Sequence, residues 1–218
     1  MKKCSAIIFD MDGVIFDSER LVLECWEKVT QMHHMQGITE ALTACIGTNA
    51  QKTREIVFDY CGENFPYDEL VKEASAIFHA KADSEGLPVK KGVRELLDYV
   101  KESKITIAVA SSTRVEVVTM ELKQAGLYDY FQVVMGGDQL KRSKPDPDIY
   151  LMTCERLGVA PEEAYAIEDS YNGIRSSYSA GMRPIMVPDL LPATEEMKEK
   201  SVAVLKDLLQ VKDFLSED

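Results

Sequence analysis

The chain has 218 residues, 45% of them hydrophobic and 28% charged, which suits one large core or a core with a smaller second domain. Its formal net charge of −12 disfavours attraction to nucleic acid or to anionic membrane surfaces, and no run of about 18 apolar residues predicts a membrane span. We therefore expect no nucleic-acid partner and no membrane partner. An anionic substrate would need local positive charge at its site.

Five cysteines are scattered along the chain without a CxxC pair. An odd number without a pairing pattern favours reduced thiols, and the first ten residues become acidic too soon for a secretory signal. These features predict a cytoplasmic protein, which we expect to be a monomer or a small homo-oligomer.

The first predicted element is a buried strand, AIIFD, at residues 6–10, and it leads into a run of acids. Asp10, Asp12 and Asp17 fall within eight positions. Like charges this close repel each other, and burying them is costly unless an opposite charge neutralises them. The run therefore predicts a cationic group at the end of the first strand.

A block of helical patterns without a strand candidate follows, from residue 17 to about residue 82. Its apolar residues recur at helical spacing in segments such as SERLVLECWEKVTQM and YDELVKEASAIFHAKADSEG. We predict that residues 17–82 form an all-helical domain inserted into a core domain of residues 1–16 and 83–218.

Short apolar runs of strand length then alternate with helical patterns. This alternation predicts a Rossmann-like α/β core, with a parallel sheet covered by helices on both faces. The predicted strands are residues 105–110, 132–136, 164–168 and 184–188, and the predicted helices are residues 93–102, 115–124, 147–157 and 173–180.

Polar and charged residues collect at the carboxyl ends of these predicted strands, where open parallel sheets bind their ligands. The candidates are Asp10 and Asp12 after the first strand, Ser111 and Ser112 after the second, Lys144 after the third, and Glu168 and Asp169 after the fourth.

This set of side chains suits phosphoryl chemistry assisted by Mg²⁺. Carboxylates from separate strands are typical ligands of Mg²⁺, and the bound cation keeps neighbouring acids ionised and lets a carboxylate approach a phosphate. Ser111 is expected where a helix begins, which favours a phosphate oxygen there, and Lys144 would neutralise remaining charge. The predicted partner is a small-molecule phosphate ester.

Each candidate also has an ordinary structural explanation when it is taken alone. Aspartates and serines at strand ends commonly cap helices or stabilise turns, and Glu168 and Asp169 could cap the helix predicted near Gly173. Lys144 could be a solvated loop residue. Their joint occurrence at the ends of the predicted strands favours a functional site.

The sequence resembles the haloacid dehalogenase-like superfamily, in the branch that holds small phosphatases and β-phosphoglucomutase. The motifs DMDGVIFDSE, VASST, KPDPDIY and IEDSYNGI carry the resemblance in this order. It implies that residues 17–82 form a cap, that Asp10 is a nucleophile forming an aspartyl-phosphate, and that Asp12 is the general acid and base. Within this family an acid at the position of Asp12 indicates phosphoryl transfer, because the dehalogenases lack it.

The resemblance also implies which residues bind phosphate and metal. Ser111 and Lys144 would bind the transferring phosphoryl group, with Ser112 beside them. Mg²⁺ would be held by Asp10, the backbone carbonyl of Asp12 and Asp169, with Glu168 acting directly or through water.

A phosphatase acting on a sugar or polyol phosphate is the favoured function, and a phosphosugar mutase is the alternative. The mutase carries a cap histidine where this chain has Val22, and a cap arginine where this chain has Ala50, with Arg54 further along. Gly47, Thr48 and Asn49 form either a cap loop that touches substrate or a plain helix–helix turn. A remote alternative is a phospho-acceptor signalling domain, which would retain phosphate without turnover.

Overall fold

The computed structural model describes residues 4–35, 38–45 and 50–217. The chain forms two compact units, one of Met1–Asp17 with Pro88–Asp218 and the other of Ser18–Leu87. The boundary predicted between residues 82 and 83 falls inside a helix that continues to Glu85. The tripeptide Gly47, Thr48 and Asn49 lies outside the described residues.

The first unit is built on a six-stranded sheet in which all paired strands are parallel. The strands are β1 (Ala6–Phe9), β2 (Thr106–Ala110), β3 (Val133–Met135), β4 (Ala164–Glu168), β5 (Arg183–Met186) and β6 (Ala203–Val204). Their order in the sheet is β3-β2-β1-β4-β5-β6, which places β1 at the centre between β2 and β4. The predicted parallel α/β class is therefore confirmed.

Ten α-helices occur in the described part of the chain, four of them in the second unit. The helices of the first unit follow the strands and bury apolar stripes, such as Val93, Leu96, Leu97 and Val100 on one face of the helix Val93–Glu102. The helices are α1 (Ser18–Met32), α2 (Ile38–Cys45), α3 (Ala50–Cys61), α4 (Tyr67–Glu85), α5 (Val93–Glu102), α6 (Val115–Gln124), α7 (Asp148–Leu157), α8 (Tyr171–Ser179), α9 (Glu195–Lys200) and α10 (Leu208–Glu217).

The second unit is helical, and its core forms between α1 and the helices after it. Trp26 on α1 stacks on Tyr67 of α4 with ring centroids 6.1 Å apart, and Val29 and Leu70 are fully buried. Within the described ranges, no helix combines the length and the apolar character that crossing a membrane requires.

The two segments of the first unit that lead to and from the second unit run side by side. Phe16 and Val89 form an antiparallel bridge, and the Asp17 N–H donates to the Pro88 carbonyl at 2.9 Å. Lys90 donates its N–H to the Ile15 carbonyl at 2.9 Å. This pairing fixes the chain directly after the acidic turn that follows β1.

Candidate active site

The candidate site begins where β1 ends at the centre of the sheet. Asp10 is still tied to the sheet, because its N–H donates to the Ile167 carbonyl at 2.9 Å. The chain then turns sharply, with the N–H groups of Ile15 and Phe16 both donating to the Met11 carbonyl. The turn releases the backbone from the strand after Asp10, so the direction of the Asp12 side chain is set by the turn and not by the two-residue period of a strand.

Gly13 is required in this turn for two reasons. Its φ of +77° lies in the left-handed region, which side chains with a Cβ rarely adopt. A Cβ at this position would also lie 2.2 Å from Oδ2 of Asp169, so the Asp169 carboxylate occupies the space. The turn after β1 and the end of β4 are thus packed directly against each other.

Lys144 brings a buried positive charge to this edge of the sheet. Its ammonium donates to Oδ1 of Asp10 at 2.5 Å, to Oε1 of Glu168 at 2.6 Å and to the Ala110 carbonyl at 3.2 Å. Only 7% of the Lys144 side chain is exposed. The predicted solvated alternative for Lys144 is therefore excluded by its contacts.

Glu168 lies deepest in the cluster, with no solvent exposure. Besides Lys144, the Tyr150 hydroxyl donates to its Oε1 at 2.6 Å, and Ser170 donates to its Oε2 through both its hydroxyl and its N–H. Glu168 therefore accepts hydrogen bonds on both carboxylate oxygens.

Asp12 and the loop after β2 form the other side of the cluster. The Thr113 hydroxyl donates to Oδ2 of Asp12 at 3.1 Å, and the Thr113 N–H donates to the Ser111 hydroxyl at 3.0 Å. Ser111 is buried, and its own N–H donates to the Met135 carbonyl. The ends of β1, β2 and β3 are thereby connected through one chain of hydrogen bonds.

One detail of the serine loop differs from the prediction. Helix α6 begins at Val115, so Ser111 lies in the loop before it and not at the helix start. Ser112 is exposed, and its backbone carbonyl packs closely on Gly137. The helix after β4 also begins earlier than predicted, at Tyr171, because Ser170 caps it by accepting the Gly173 N–H at 3.0 Å.

The acidic residues of the site fit a hard divalent cation. Carboxylate oxygens of Asp10, Glu168 and Asp169 all lie within 4.8 Å of one another, and all three residues are buried. Oxygen ligands gathered from the ends of two strands match the preference of Mg²⁺. No other cluster of this kind occurs among the described residues.

The charge balance of the cluster supports the same conclusion. Burial raises the pKa of Asp10 well above its ordinary value; Lys144 lowers it, and the charges of Glu168 and Asp12 raise it. For Lys144, burial lowers the pKa, but Asp10 and Glu168 raise it more, so the pKa lies above its ordinary value. The single ammonium is therefore charged at neutral pH, and a divalent cation would offset the remaining negative charge.

Three residues contribute to the cluster that the sequence did not single out for chemistry. Tyr150 contacts Glu168, and Thr113 contacts Asp12. Glu121 on α6 is buried beside the charge of Asp12. The sequence signal for Tyr150 and Thr113 was their position in the motifs KPDPDIY and VASST. Glu121 had no such signal, because one glutamate in an amphipathic helix looks like a surface residue.

The pattern of the haloacid dehalogenase-like hydrolase family matches residues 7–187 of this chain. The chain therefore belongs to that family, as its motifs predicted. A phosphorylated carbohydrates phosphatase from Thermotoga maritima is 34% identical, over 92% of this chain and 94% of its own length. Hexitol phosphatase B from Escherichia coli is 30% identical, over 84% of this chain and 83% of its own length.

A similar solved structure comes from Thermotoga maritima and is provisionally assigned as a β-phosphoglucomutase. It has a TM-score of 0.81 at 31% identity, and the match covers 98% of this chain and 99% of that one. This chain is thus an enzyme of the hydrolase family. The two named relatives are phosphatases, which belong to the predicted class of phosphoric monoester hydrolases.

Proposed function

We propose that this protein is a Mg²⁺-dependent phosphatase that hydrolyses a small sugar or polyol phosphate through an aspartyl-phosphate on Asp10. The observation that carries the proposal is the buried ammonium of Lys144, which lies within 2.6 Å of both Asp10 and Glu168. On a chain with a net charge of −12, this cation supplies the local positive charge that an anionic ester needs. Buried, oriented charges of this kind stabilise the charge that develops in a transition state.

The substrate class is supported by the relatives, one named for phosphorylated carbohydrates and the other for hexitol. The acid at Asp12 supports phosphoryl transfer, because an alkoxide leaving group needs a proton. The helical unit Ser18–Leu87 would act as the cap that excludes water and unsuitable substrates. A cytoplasmic location and a monomer or small homo-oligomer stay predictions.

In the first step, an Asp10 carboxylate oxygen attacks phosphorus, and the bond from phosphorus to the ester oxygen breaks. Asp12 gives its proton to the leaving oxygen, which departs as the alcohol. In the second step, Asp12 takes a proton from water as that water attacks the same phosphorus atom. The acyl phosphate bond breaks, inorganic phosphate leaves, and Asp10 is free again.

Lys144 and the serine loop would hold the phosphoryl oxygens during both steps, with Ser111 and Ser112 offering hydroxyl or backbone N–H groups. Asp10, Asp169 and the backbone carbonyl of Asp12 are the proposed metal ligands, with Glu168 beside them. A bound Mg²⁺ would neutralise charge between the nucleophile and the phosphate.

A phosphosugar mutase is the second candidate, because the Thermotoga maritima structure with a TM-score of 0.81 carries that provisional assignment. Val22 and Ala50 stand where the mutase has its cap histidine and arginine, and this difference favours hydrolysis.

Replacement of the nucleophile tests the mechanism. We expect Asp10→Asn to lower phosphate release by at least roughly 10³-fold, because an amide cannot form the acyl phosphate. Asp213→Asn, an exposed position on α10, is the control and should keep wild-type turnover. Circular dichroism and thermal unfolding check that both variants fold. Substantial release by folded Asp10→Asn would exclude Asp10 as the nucleophile.

A further inference from the structure

A buried ion pair between Lys90 and Asp189 lies in the first unit, outside the acidic cluster. The Lys90 ammonium lies 2.7 Å from Oδ1 of Asp189, and only 3% of the Asp189 side chain and 20% of the Lys90 side chain are exposed. A carboxylate buried to this extent is costly unless a cation offsets it. The proposed reaction uses neither residue, so the pair needs an explanation of its own.

Asp189 belongs to the loop after β5, which is tied to the end of β4. The loop begins at Val187, whose N–H donates to the Glu168 carbonyl at 2.7 Å. Asp189 follows two residues later. Because the start of the loop is hydrogen-bonded to the sheet, the Asp189 carboxylate is a fixed point to which another segment can be attached.

Lys90 is attached to a second segment through its backbone. We call residues 15–17 together with residues 88–90 the ribbon, because these two stretches pair side by side. Within the ribbon, the Lys90 N–H donates to the Ile15 carbonyl at 2.9 Å. Lys90 therefore binds the opposite stretch of the ribbon with its main chain and Asp189 with its side chain.

The ribbon continues directly into the turn that carries Asp12. The Gly13 N–H donates to the Phe16 carbonyl at 2.9 Å, and Asp12 forms a bridge with Phe16. Phe16 is also fully buried, but apolar packing has no preferred direction, so the exact position of the ribbon depends on its polar contacts. A shift of the ribbon would therefore shift the turn, and with it the carboxyl group of Asp12.

We propose that Lys90 and Asp189 are positioning residues for the general acid of the proposed reaction. Their ion pair fixes the ribbon against the loop after β5, and the ribbon fixes the turn that directs Asp12. The inference rests on the proposed function, because the role of Asp12 belongs to it. Loss of the pair should impair protonation of the leaving oxygen more than attack on phosphorus.

The test uses variants that remove the charges and keep the backbone contacts. Lys90→Met removes the ammonium and keeps the aliphatic stem and the N–H, but it leaves the Asp189 carboxylate buried without this cation, which lowers stability. The double variant Lys90→Met/Asp189→Asn avoids that charge and is the decisive one. Lys198→Met is the control, because Lys198 pairs with Glu195 at 2.6 Å on the exposed surface of α9.

Hydrogen exchange, followed by nuclear magnetic resonance, tests whether the pair holds the ribbon. The amide of Asp17 reports the ribbon and that of Gly13 the turn, and the amide of Leu97 in α5 reports general stability. In the double variant we expect exchange at Asp17 and Gly13 to be at least roughly tenfold faster, with Leu97 within about threefold. Lys198→Met should leave all three unchanged. Unchanged exchange at Asp17 and Gly13, or equal acceleration at Leu97, would contradict the proposal.

The second measurement compares two esters that differ in their need for a general acid. The alkoxide of sorbitol 6-phosphate must be protonated as it leaves, whereas the phenolate of p-nitrophenyl phosphate leaves without a proton. In the double variant we expect kcat/KM for sorbitol 6-phosphate to fall by roughly tenfold and that for p-nitrophenyl phosphate to stay within about threefold. A merely structural role would lower both values equally, so an equal fall would overturn the proposal.

The activity of the wild type separates this inference from the proposed function. If wild-type protein releases phosphate from neither ester, the proposed function fails, while hydrogen exchange still decides whether the pair fixes the ribbon. If wild-type protein hydrolyses both esters and the double variant keeps the same ratio of their kcat/KM values, only the positioning role fails.

Discussion

Single buried charges decide the chemistry at this site, and Lys144 is the clearest example. Its ammonium is surrounded by two carboxylates and a carbonyl, which stabilise the charge despite burial. A buried ion pair between a lysine and a carboxylate is costly to break, because the remaining partner would be left charged in a poorly solvated environment. The pair is therefore suited to present a fixed positive charge to a phosphate.

Glu121 is a buried carboxyl group of the opposite kind, because no cation among the described residues offsets its burial and the nearby charge of Asp12. It is 8% exposed, and its Oε2 has no hydrogen-bond partner among the described residues. Burial, and then the charge of Asp12, raise the pKa of Glu121 from 4.5 to about 7. Between pH 4.5 and 7 the folded state thus binds more protons than the unfolded state, so stability falls as pH rises through this range.

We predict that Glu121→Gln stabilises the protein at pH 8 and has little effect at pH 5. The raised pKa corresponds to a penalty on the order of 3 kcal/mol above pH 7, which the neutral amide avoids. Urea unfolding at both pH values measures the effect, with Glu116→Gln, an exposed residue of the same helix, as control. An equal gain at both pH values, or a loss at pH 8, would contradict the assigned cause.

Sequence reasoning located Asp10, Asp12, Lys144, Glu168 and Asp169 because they follow strands, and strand ends meet at one edge of a parallel sheet. It could not find the partners that hold these groups. The contacts of Thr113, Tyr150 and Glu121 depend on the orientation of a loop or of a helix face. That orientation is set by packing between elements that are distant in sequence.

At the scale of elements, the turn after β1 couples backbone geometry to the position of Asp169. Gly13 supplies a positive φ, and the carboxylate of Asp169 fills the space where a Cβ would lie. Gly181 offers a matched comparison, because its φ is +80° and nothing lies within 4 Å of a Cβ built there.

We predict that Gly13→Ala and Gly181→Ala both lose stability, Gly13→Ala more because its Cβ meets Asp169, and that the two variants differ in activity. Each pays about 1–2 kcal/mol for the left-handed backbone, measured as the free energy of unfolding. Only Gly13→Ala displaces Asp169, so we expect its Mg²⁺-dependent phosphate release to fall by at least roughly 10²-fold. Equal activity of the two variants would show that the Asp169 contact is dispensable.

Elements whose hydrophobic residues recur with a clear helix or strand period were predicted well, and elements without such a period were not. The predicted helices at 93–102 and 115–124 and the strand at 164–168 coincide with α5, α6 and β4. Strand β6 was missed because it has two residues, too few for an alternation to be visible. The start of α8 was placed late because Ser170 caps the helix through a contact that also involves Glu168.

At the scale of the whole molecule, a strongly acidic chain concentrates a buried lysine and a cation-fitting cluster at one edge of its sheet. Salt should therefore affect substrate capture more than the chemical step, because the net charge of −12 acts over long distances and the site charges act at contact. We predict that raising ionic strength from low to physiological increases kcat/KM for a dianionic ester and leaves kcat nearly constant. A fall in kcat/KM over that range would contradict the inference that the net charge of the protein repels the substrate.

The most direct test of the proposed phosphatase is the release of inorganic phosphate from a panel of sugar, polyol and nucleoside phosphates, with Mg²⁺ and with a chelator. Glucose 1-phosphate is included with its bisphosphate primer, and glucose 6-phosphate is measured in parallel. We expect Mg²⁺-dependent release concentrated on a few sugar or polyol phosphates. Formation of glucose 6-phosphate without matching release of phosphate would contradict the proposal and identify a mutase.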